Sequence, residues 1–211
     1  MHVVRRRVLP LAAVALSAVV GLITACTSGH GADPSTIPAP SSTTTTPPSP
    51  SPSRTGPLTT GPNVAPGEKP PTVPAQLHQH DATGALTVAH YFFQAFDWGY
   101  ATNDPFLVQQ ISAPACAACV RYISTLQQLA SSGGHIEQGR IRVLSSALVT
   151  GSFRFKSDYV AKVTINEQQV IVHSPSSAPS TAEAPLINDA SLIFVSWTDA
   201  GWRIVAVASP S

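Results

Sequence analysis

From Thr27 to His80 the chain offers almost nothing that a hydrophobic core could use. Thirteen of the 20 prolines lie between Pro34 and Pro74, and runs such as Ser41-Ser42-Thr43-Thr44-Thr45-Thr46-Pro47-Pro48 carry no large apolar side chain. Ordering such chain costs roughly 1–2 kcal/mol per residue with no burial to offset it, so the segment is expected to stay unfolded. Whatever packs must therefore lie beyond it. As polyproline II these 54 residues would span about 165 Å, and as a flexible coil about 40 Å. Ser and Thr beside Pro could also carry O-linked sugar.

What precedes this segment reads as an address. Arg5, Arg6 and Arg7 form a basic start, an apolar run extends from Val8 to Ile23, and small residues lead into a cysteine, Cys26. Ile23-Thr24-Ala25-Cys26 is similar to the lipobox of bacterial lipoproteins. That resemblance implies a signal peptide over 1–25, cleavage before Cys26 and a diacylglycerol on its sulfur. Each buried methylene contributes roughly 0.8 kcal/mol, so two or three acyl chains hold firmly where one holds reversibly. Two other readings stay open: an uncleaved span, since the run approaches the lower limit of about 17–25 residues, and a soluble secreted chain in which Cys26 is incidental.

Charge and cysteines narrow the partners. Twelve Lys and Arg stand against eleven Asp and Glu, and losing Arg5, Arg6 and Arg7 leaves the remainder slightly acidic. No basic tract survives, which argues against nucleic acid. The other two of three cysteines, Cys116 and Cys119, form an even pair for which a disulfide is the default in an oxidising compartment.

The domain is expected at 81–210, after the stalk at 26–80. Asp81 offers a helix cap, and Ala85, Val88, Ala89, Phe92, Phe93, Phe96 and Tyr100 recur at spacings of three and four, predicting a helix over 84–101. Asp104-Pro105 starts a short helix through Ile111. A third runs from Cys116 to Ser131 and stops at Gly133-Gly134. The period then becomes two: strands are predicted at 140–143, at Phe153-Arg154-Phe155-Lys156, over 159–165 with a turn at Asn166-Glu167, and at Val170-Ile171-Val172. The stretch 174–189 has no periodicity and reads as a loop. Strands 191–197 and 202–208 flank Thr198-Asp199-Ala200-Gly201, placing Trp197 and Trp202 to pair across a hairpin. Helices followed by antiparallel strands make an α+β domain, with the helices on one face of a curved sheet.

The lipobox, the Thr/Pro-rich stalk, the helix Ala89-His90-Tyr91-Phe92-Phe93-Gln94-Ala95-Phe96, the segment Ile111-Ser112-Ala113-Pro114-Ala115-Cys116-Ala117-Ala118-Cys119 and the late Trp strands together resemble the DUF6318 type of actinobacterial lipoprotein. That resemblance brings no activity with it. The order of elements also resembles the NTF2-like cone, in which a curved sheet wraps helices around an apolar pocket. That fold hosts enzymes and binding domains alike.

Three constellations could carry chemistry. Cys116 and Cys119, at i and i+3 near a helix start, are a structural clamp or a redox dithiol; no βαβ context supports the redox reading. A zinc site would need two further ligands beside them, and His78 and His80 lie at the stalk's end. His90 and Asp97, two turns apart, share a helix face and could form a proton-transfer pair; His135 and Glu137 have no better claim. A possible pocket is assigned to His90, Phe93, Asp97, Trp98 and Tyr100, with no metal or other cofactor implied. The expectation is a lipid-anchored, extracytoplasmic binding protein without catalysis. Its partners would be the membrane through Cys26 and an envelope protein or apolar small molecule, with a homodimer possible. The alternatives are a cone-pocket enzyme and a thiol oxidoreductase.

Overall fold

The computed structural model describes residues 54–174 and 180–210. The predicted signal peptide, Cys26 and the stalk up to residue 53 lie outside the described residues. A 3-10 turn, Ala75–His78, leads into three helices: α1 Ala82–Thr102, α2 Phe106–Ile111 and α3 Ala117–Ser132. Among the described residues seven strands follow: β1 His135–Gln138, β2 Ile141–Leu148, β3 Tyr159–Glu167, β4 Val170–His173, β5 Thr181–Glu183, β6 Leu186–Thr198 and β7 Gly201–Ala208. They make two antiparallel sheets, β2-β3-β6-β7 and β1-β4-β5, neither closed into a barrel.

The predicted helix boundaries hold within two residues, and for the physical reasons anticipated. The Asp81 carboxylate accepts a hydrogen bond from the Gly84 amide at 2.9 Å, capping α1. Gly133, at φ 77°, ends α3. Asp104 Oδ1 accepts from the Phe106 amide at 3.1 Å and starts α2. Trp197 and Trp202 are cross-strand partners with ring centroids 5.2 Å apart, and the connection between their strands is the tight turn Asp199-Ala200.

Among the described residues, the chain ahead of the predicted domain start at 81 is already packed from Arg54 onward. Arg54 pairs with the buried Asp104 at 2.7 Å, the indole N–H of Trp98 donates to the Leu58 carbonyl at 2.9 Å, and the Asn63 amide donates to the Ala101 carbonyl at 3.0 Å. Leu77 is buried in the core. This strap explains why α1 is buried on more than the one predicted face: Tyr91, Ala95, Trp98 and Ala101 are inside as well as Ala85, Val88, Ala89, Phe92 and Phe93.

The strands differ in several places: β1 is not among the predicted strands, and β2 runs on to Leu148 rather than ending at Val143. Phe153 and Phe155 belong to the connection between β2 and β3, and both rings meet Phe194 edge-on, at 5.7 and 5.2 Å, on the outer face of the four-stranded sheet. Thr150-Gly151-Ser152 breaks the ladder first. Conversely, the stretch read as a loop contains β5 and the first residues of β6. Every side chain of β5 is exposed, which leaves no hydrophobic signature.

The chain passes from the small sheet to the large one at Gln138-Gly139, both in the left-handed region at φ 62° and 71°. A Cβ on Gly139 would stand 3.1 Å from Val170 and 3.2 Å from Tyr100, so a side chain there is crowded as well as strained.

A candidate ligand cavity

Between α1, α3 and the two sheets lies a cavity of about 450 Å³. Its floor is aromatic because α1 presents Phe92, Phe96 and Tyr100 at successive turns. Opposite them α3 presents Tyr122, whose ring stacks on Phe96 with centroids 3.6 Å apart. The Tyr122 hydroxyl donates to the Phe96 carbonyl at 2.7 Å, fixing the two helices at one spacing. Burial pushes the hydroxyls of Tyr100 and Tyr122 up from the ordinary phenol range, so both stay neutral. Ile136, Ile165 and Val170 line the sheet side.

One part of the wall is acidic. Glu167 ends β3, Glu183 ends β5, and Asp189 lies in β6 opposite Ile165, two residues before Glu167. Burial pushes the Glu167 carboxyl up to about 7, with the charges of Glu183, Asp189 and Asp97 acting in the same direction. Because the folded value lies above the ordinary 4.5, the fold favours neutral Glu167, and this contribution is lost as pH rises from 4.5 through 7. Replacing Glu167 by Gln is therefore expected to stabilise the protein at pH 8 by about 1–2 kcal/mol, after discounting for solvent screening of a half-exposed group. At pH 4 the gain should vanish. Urea unfolding at the two pH values checks this, and an equal effect at both would refute it.

Of the pocket residues predicted from sequence, Phe93 and Tyr100 line this cavity. His90, Asp97 and Trp98, with Phe93 again, line a different, more polar groove of about 380 Å³ between α1, β2 and residues 68–71. His90 and Asp97 do share that groove, but Asp97 is already engaged. Arg140 reaches it with Nε at 3.0 Å and Nη2 at 2.7 Å, and the Ile141 amide donates to it at 2.7 Å.

Cys116 and Cys119 are joined by a disulfide at the start of α3, their Cα atoms 5.2 Å apart, and both are buried. His80 stacks on Trp197 at 4.6 Å and closes the strap onto the hairpin. His135 and His173 stack across the β1–β4 pair, and His173 meets Glu137 at 2.7 Å near the surface. Among the described residues no three His, Cys, Asp or Glu side chains come together as a metal site.

Glu167, Glu183, Asp189 and Tyr122 are among the lining residues that the predicted pocket did not include. Glu167 carried a signal. The inward series Tyr159, Ala161, Val163, Ile165 steps by two directly onto it, so a strand two residues longer would have placed a carboxylate on that face.

Comparison with known proteins bears on identity. The sequence profile of a family of unknown function, DUF6318, matches residues 64–208. The chain belongs to the DUF6318 family. The match begins inside the strap, so part of what the sequence reading left to the stalk belongs with the DUF6318 domain. No curated protein matches this chain. Among solved structures, the crystal structure of the intermembrane space region of chloroplast protein ARC6 is similar at 11% identity with a TM-score of 0.42, over 63% of this chain and 98% of that one. Nothing about the DUF6318 domain's partners follows from a similarity of that size.

Proposed function

We propose that the chain is a lipid-anchored protein of the cell envelope whose DUF6318 domain binds an apolar small molecule in the cavity and performs no catalysis. The cavity carries the reading: about 450 Å³ with a mainly apolar, aromatic wall lies within the roughly 300–1,000 Å³ of ordinary ligand pockets. Helices laid first and antiparallel strands wrapped around an apolar space support its finer description as an NTF2-like cone.

The run into Cys26 supports the anchor and an extracytoplasmic location. The composition of residues 27–53 supports a tether. As polyproline II it would reach about 80 Å, and as a coil about 30 Å, shorter than a stalk ending at His80 would give. The engagement of Asp97 by Arg140 speaks for binding over proton transfer at the His90 groove. The burial of both cysteines speaks for a clamp over a redox dithiol.

Two measurements test the proposal. Intact mass of the exported protein should show a chain beginning at Cys26 with a diacylglycerol adduct, and an unmodified terminus removes the anchor. For binding, the neutral apolar dye N-phenyl-1-naphthylamine should brighten with the protein. Ala118→Trp, an exposed substitution at the cavity wall on α3, should weaken dye binding by about tenfold or more. Equal brightening by both proteins, or none, defeats the cavity reading.

A further inference from the structure

The outer face of the four-stranded sheet is apolar and basic at once. Alternation along β3 sends Ala161, Val163 and Ile165 into the core and Val160 and Lys162 outward, Lys162 standing between Ala147 of β2 and Leu192 of β6. In β7 Ile204 is inside, so its neighbour Arg203, opposite Ser196, is outside. Between these two cations lies the apolar row Val160, Phe194 and Ala206. The β2–β3 connection lays Phe153 and Phe155 on Phe194 and carries Arg154 and Lys156, both exposed. Phe155 stays 39% exposed, with the Arg154 guanidinium 5.5 Å from its ring centroid. An open hollow of about 800 Å³ remains beside the connection, with Val149, Phe153, Phe155 and Val160 in its wall.

The cations of this face are not neutralised within the domain. Arg54 and Arg140 are met by carboxylates, whereas among the described residues Arg154, Lys156, Lys162 and Arg203 enter no ion pair. Asp158, in the same connection, accepts from the Trp197 amide at 2.7 Å, and Asp199 sits in the hairpin turn. Glu167 and Asp189 belong to the cavity, on the sheet's other side and toward the other ends of β3 and β6. The four bases are scattered along the chain and form no basic tract; strand pairing is what gathers them.

Resting on the envelope anchor proposed above, we propose that this face docks on an anionic lipid bilayer. The four bases meet headgroup phosphates, and Phe155 enters the boundary between heads and acyl chains.

Charge and apolarity together select this occupant. A bilayer boundary offers negative charge to the bases and apolar volume to the exposed ring in the same contact. A second copy of this chain fits poorly, because a two-fold interface would set four cations against four. Nucleic acid or an acidic protein would answer the charge without needing Phe155. The tether over 27–53, about 30 Å as a coil, keeps the bilayer at high effective concentration. Each base then contributes modestly near the charged surface, and four suffice for a second attachment beside the acyl chains.

The test uses the processed chain, residues 26–211 carrying Cys26→Ser, so that neither the apolar start nor acyl chains bring it to lipid. In 50 mM salt it should co-sediment with vesicles of equal phosphatidylglycerol and phosphatidylcholine at least about tenfold more tightly than with phosphatidylcholine alone. Raising the salt to 0.5 M should abolish that difference. The double variant Arg154→Gln, Lys156→Gln, at two exposed positions, should lose about tenfold or more, and Lys162→Gln about threefold. Phe155→Ser should also lose about threefold or more, with urea unfolding showing that the domain remains folded. Binding that ignores phosphatidylglycerol, or that survives both the double variant and Lys162→Gln, overturns the proposal, as does no binding to either vesicle. So does equal affinity for soluble polyglutamate with Phe155→Ser without effect, which would make the face a site for acidic polymers. Because this chain carries no lipid, an unmodified Cys26 in the mass measurement removes the anchor and leaves the vesicle result standing by itself.

Discussion

Trp202→Ala is expected to remove about 3–5 kcal/mol of folding stability, the largest single loss in this domain. Trp202 lies in β7 at 2% exposure, and its ring meets three other rings edge-on: His80 at 5.7 Å, Tyr159 at 5.8 Å and Trp197 at 5.2 Å. Its indole N–H donates to the Gln79 carbonyl at 2.8 Å, so one side chain joins the last hairpin to the strap. The fit leaves no slack on the helix side. A Cβ on Gly84 would stand 2.6 Å from the indole nitrogen and 2.0 Å from the Gln79 carbonyl, which is why the first turn of α1 carries a glycine there despite its helix cost. Trp202→Phe separates the contributions. It keeps an aromatic body and forfeits the hydrogen bond and part of the volume, for an expected loss of about 1–2 kcal/mol. Urea unfolding followed by far-ultraviolet circular dichroism measures both. A loss below about 1 kcal/mol for the alanine variant, or equal losses for the two, would show that the strap is not held at this point.

That strap marks where the sequence stopped being legible. α1 announced itself because Ala85, Val88, Phe92 and Phe96 repeat at helical spacing, and the Trp197–Trp202 pair because two strands flank a turn. Residues 54–80 have no period to read. They are held by backbone carbonyls and amides, at Leu58, Asn63 and Gln79, and by isolated side chains such as Arg54, Leu77 and His80. A carbonyl is the same in every residue, so this kind of attachment leaves no trace in composition. Prolines reinforce the concealment: a strap lying over a helix needs no ladder hydrogen bonds, and a Pro-rich segment can serve there as well as in a free tether.

The candidate site was half legible for a related reason. Its aromatic wall follows from helix periodicity, and Phe93 and Tyr100 were both anticipated. Its acidic side depends on sheet register. Asp189 comes opposite Ile165 only because β6 begins at Leu186, in a stretch rich in Ser, Pro and Ala whose outward side chains resemble a loop. Glu183 depends on β5, an edge strand with no buried residue. His90 and Asp97 were correctly placed on one helix face, but the face is the one Arg140 covers.

Arg140 supplies the second large effect, and its charge pattern makes the result diagnostic. The guanidinium presents Nε and Nη2 to the two oxygens of Asp97, and Nη1 and Nη2 to the two oxygens of Glu68, the Nη1 contact being 3.0 Å. One planar group thus ties the strap to α1 and to the start of β2, a bridge that needs arginine's fork. Arg140→Ala leaves two carboxylates facing each other in a partly covered groove, for an expected loss of about 2–4 kcal/mol at pH 7. Arg140→Lys should recover less than half of it, because an ammonium serves one carboxylate well and not two. The hydrogen bond from Arg140 holds the Glu68 carboxyl below its ordinary 4.5. A depressed folded value means that stability from this group is fully present above 4.5 and is lost as pH falls through the lower folded value. The gap between wild type and Arg140→Ala should therefore be widest near neutrality and narrow progressively as pH is lowered below 4.5. Urea titrations at pH 7, 4 and 3 measure it, and limited proteolysis within 54–80 should accelerate in the variant at pH 7. A gap that stays constant down to pH 3 would mean that Arg140 acts through the packing of its alkyl stem, with the ion pairs contributing nothing.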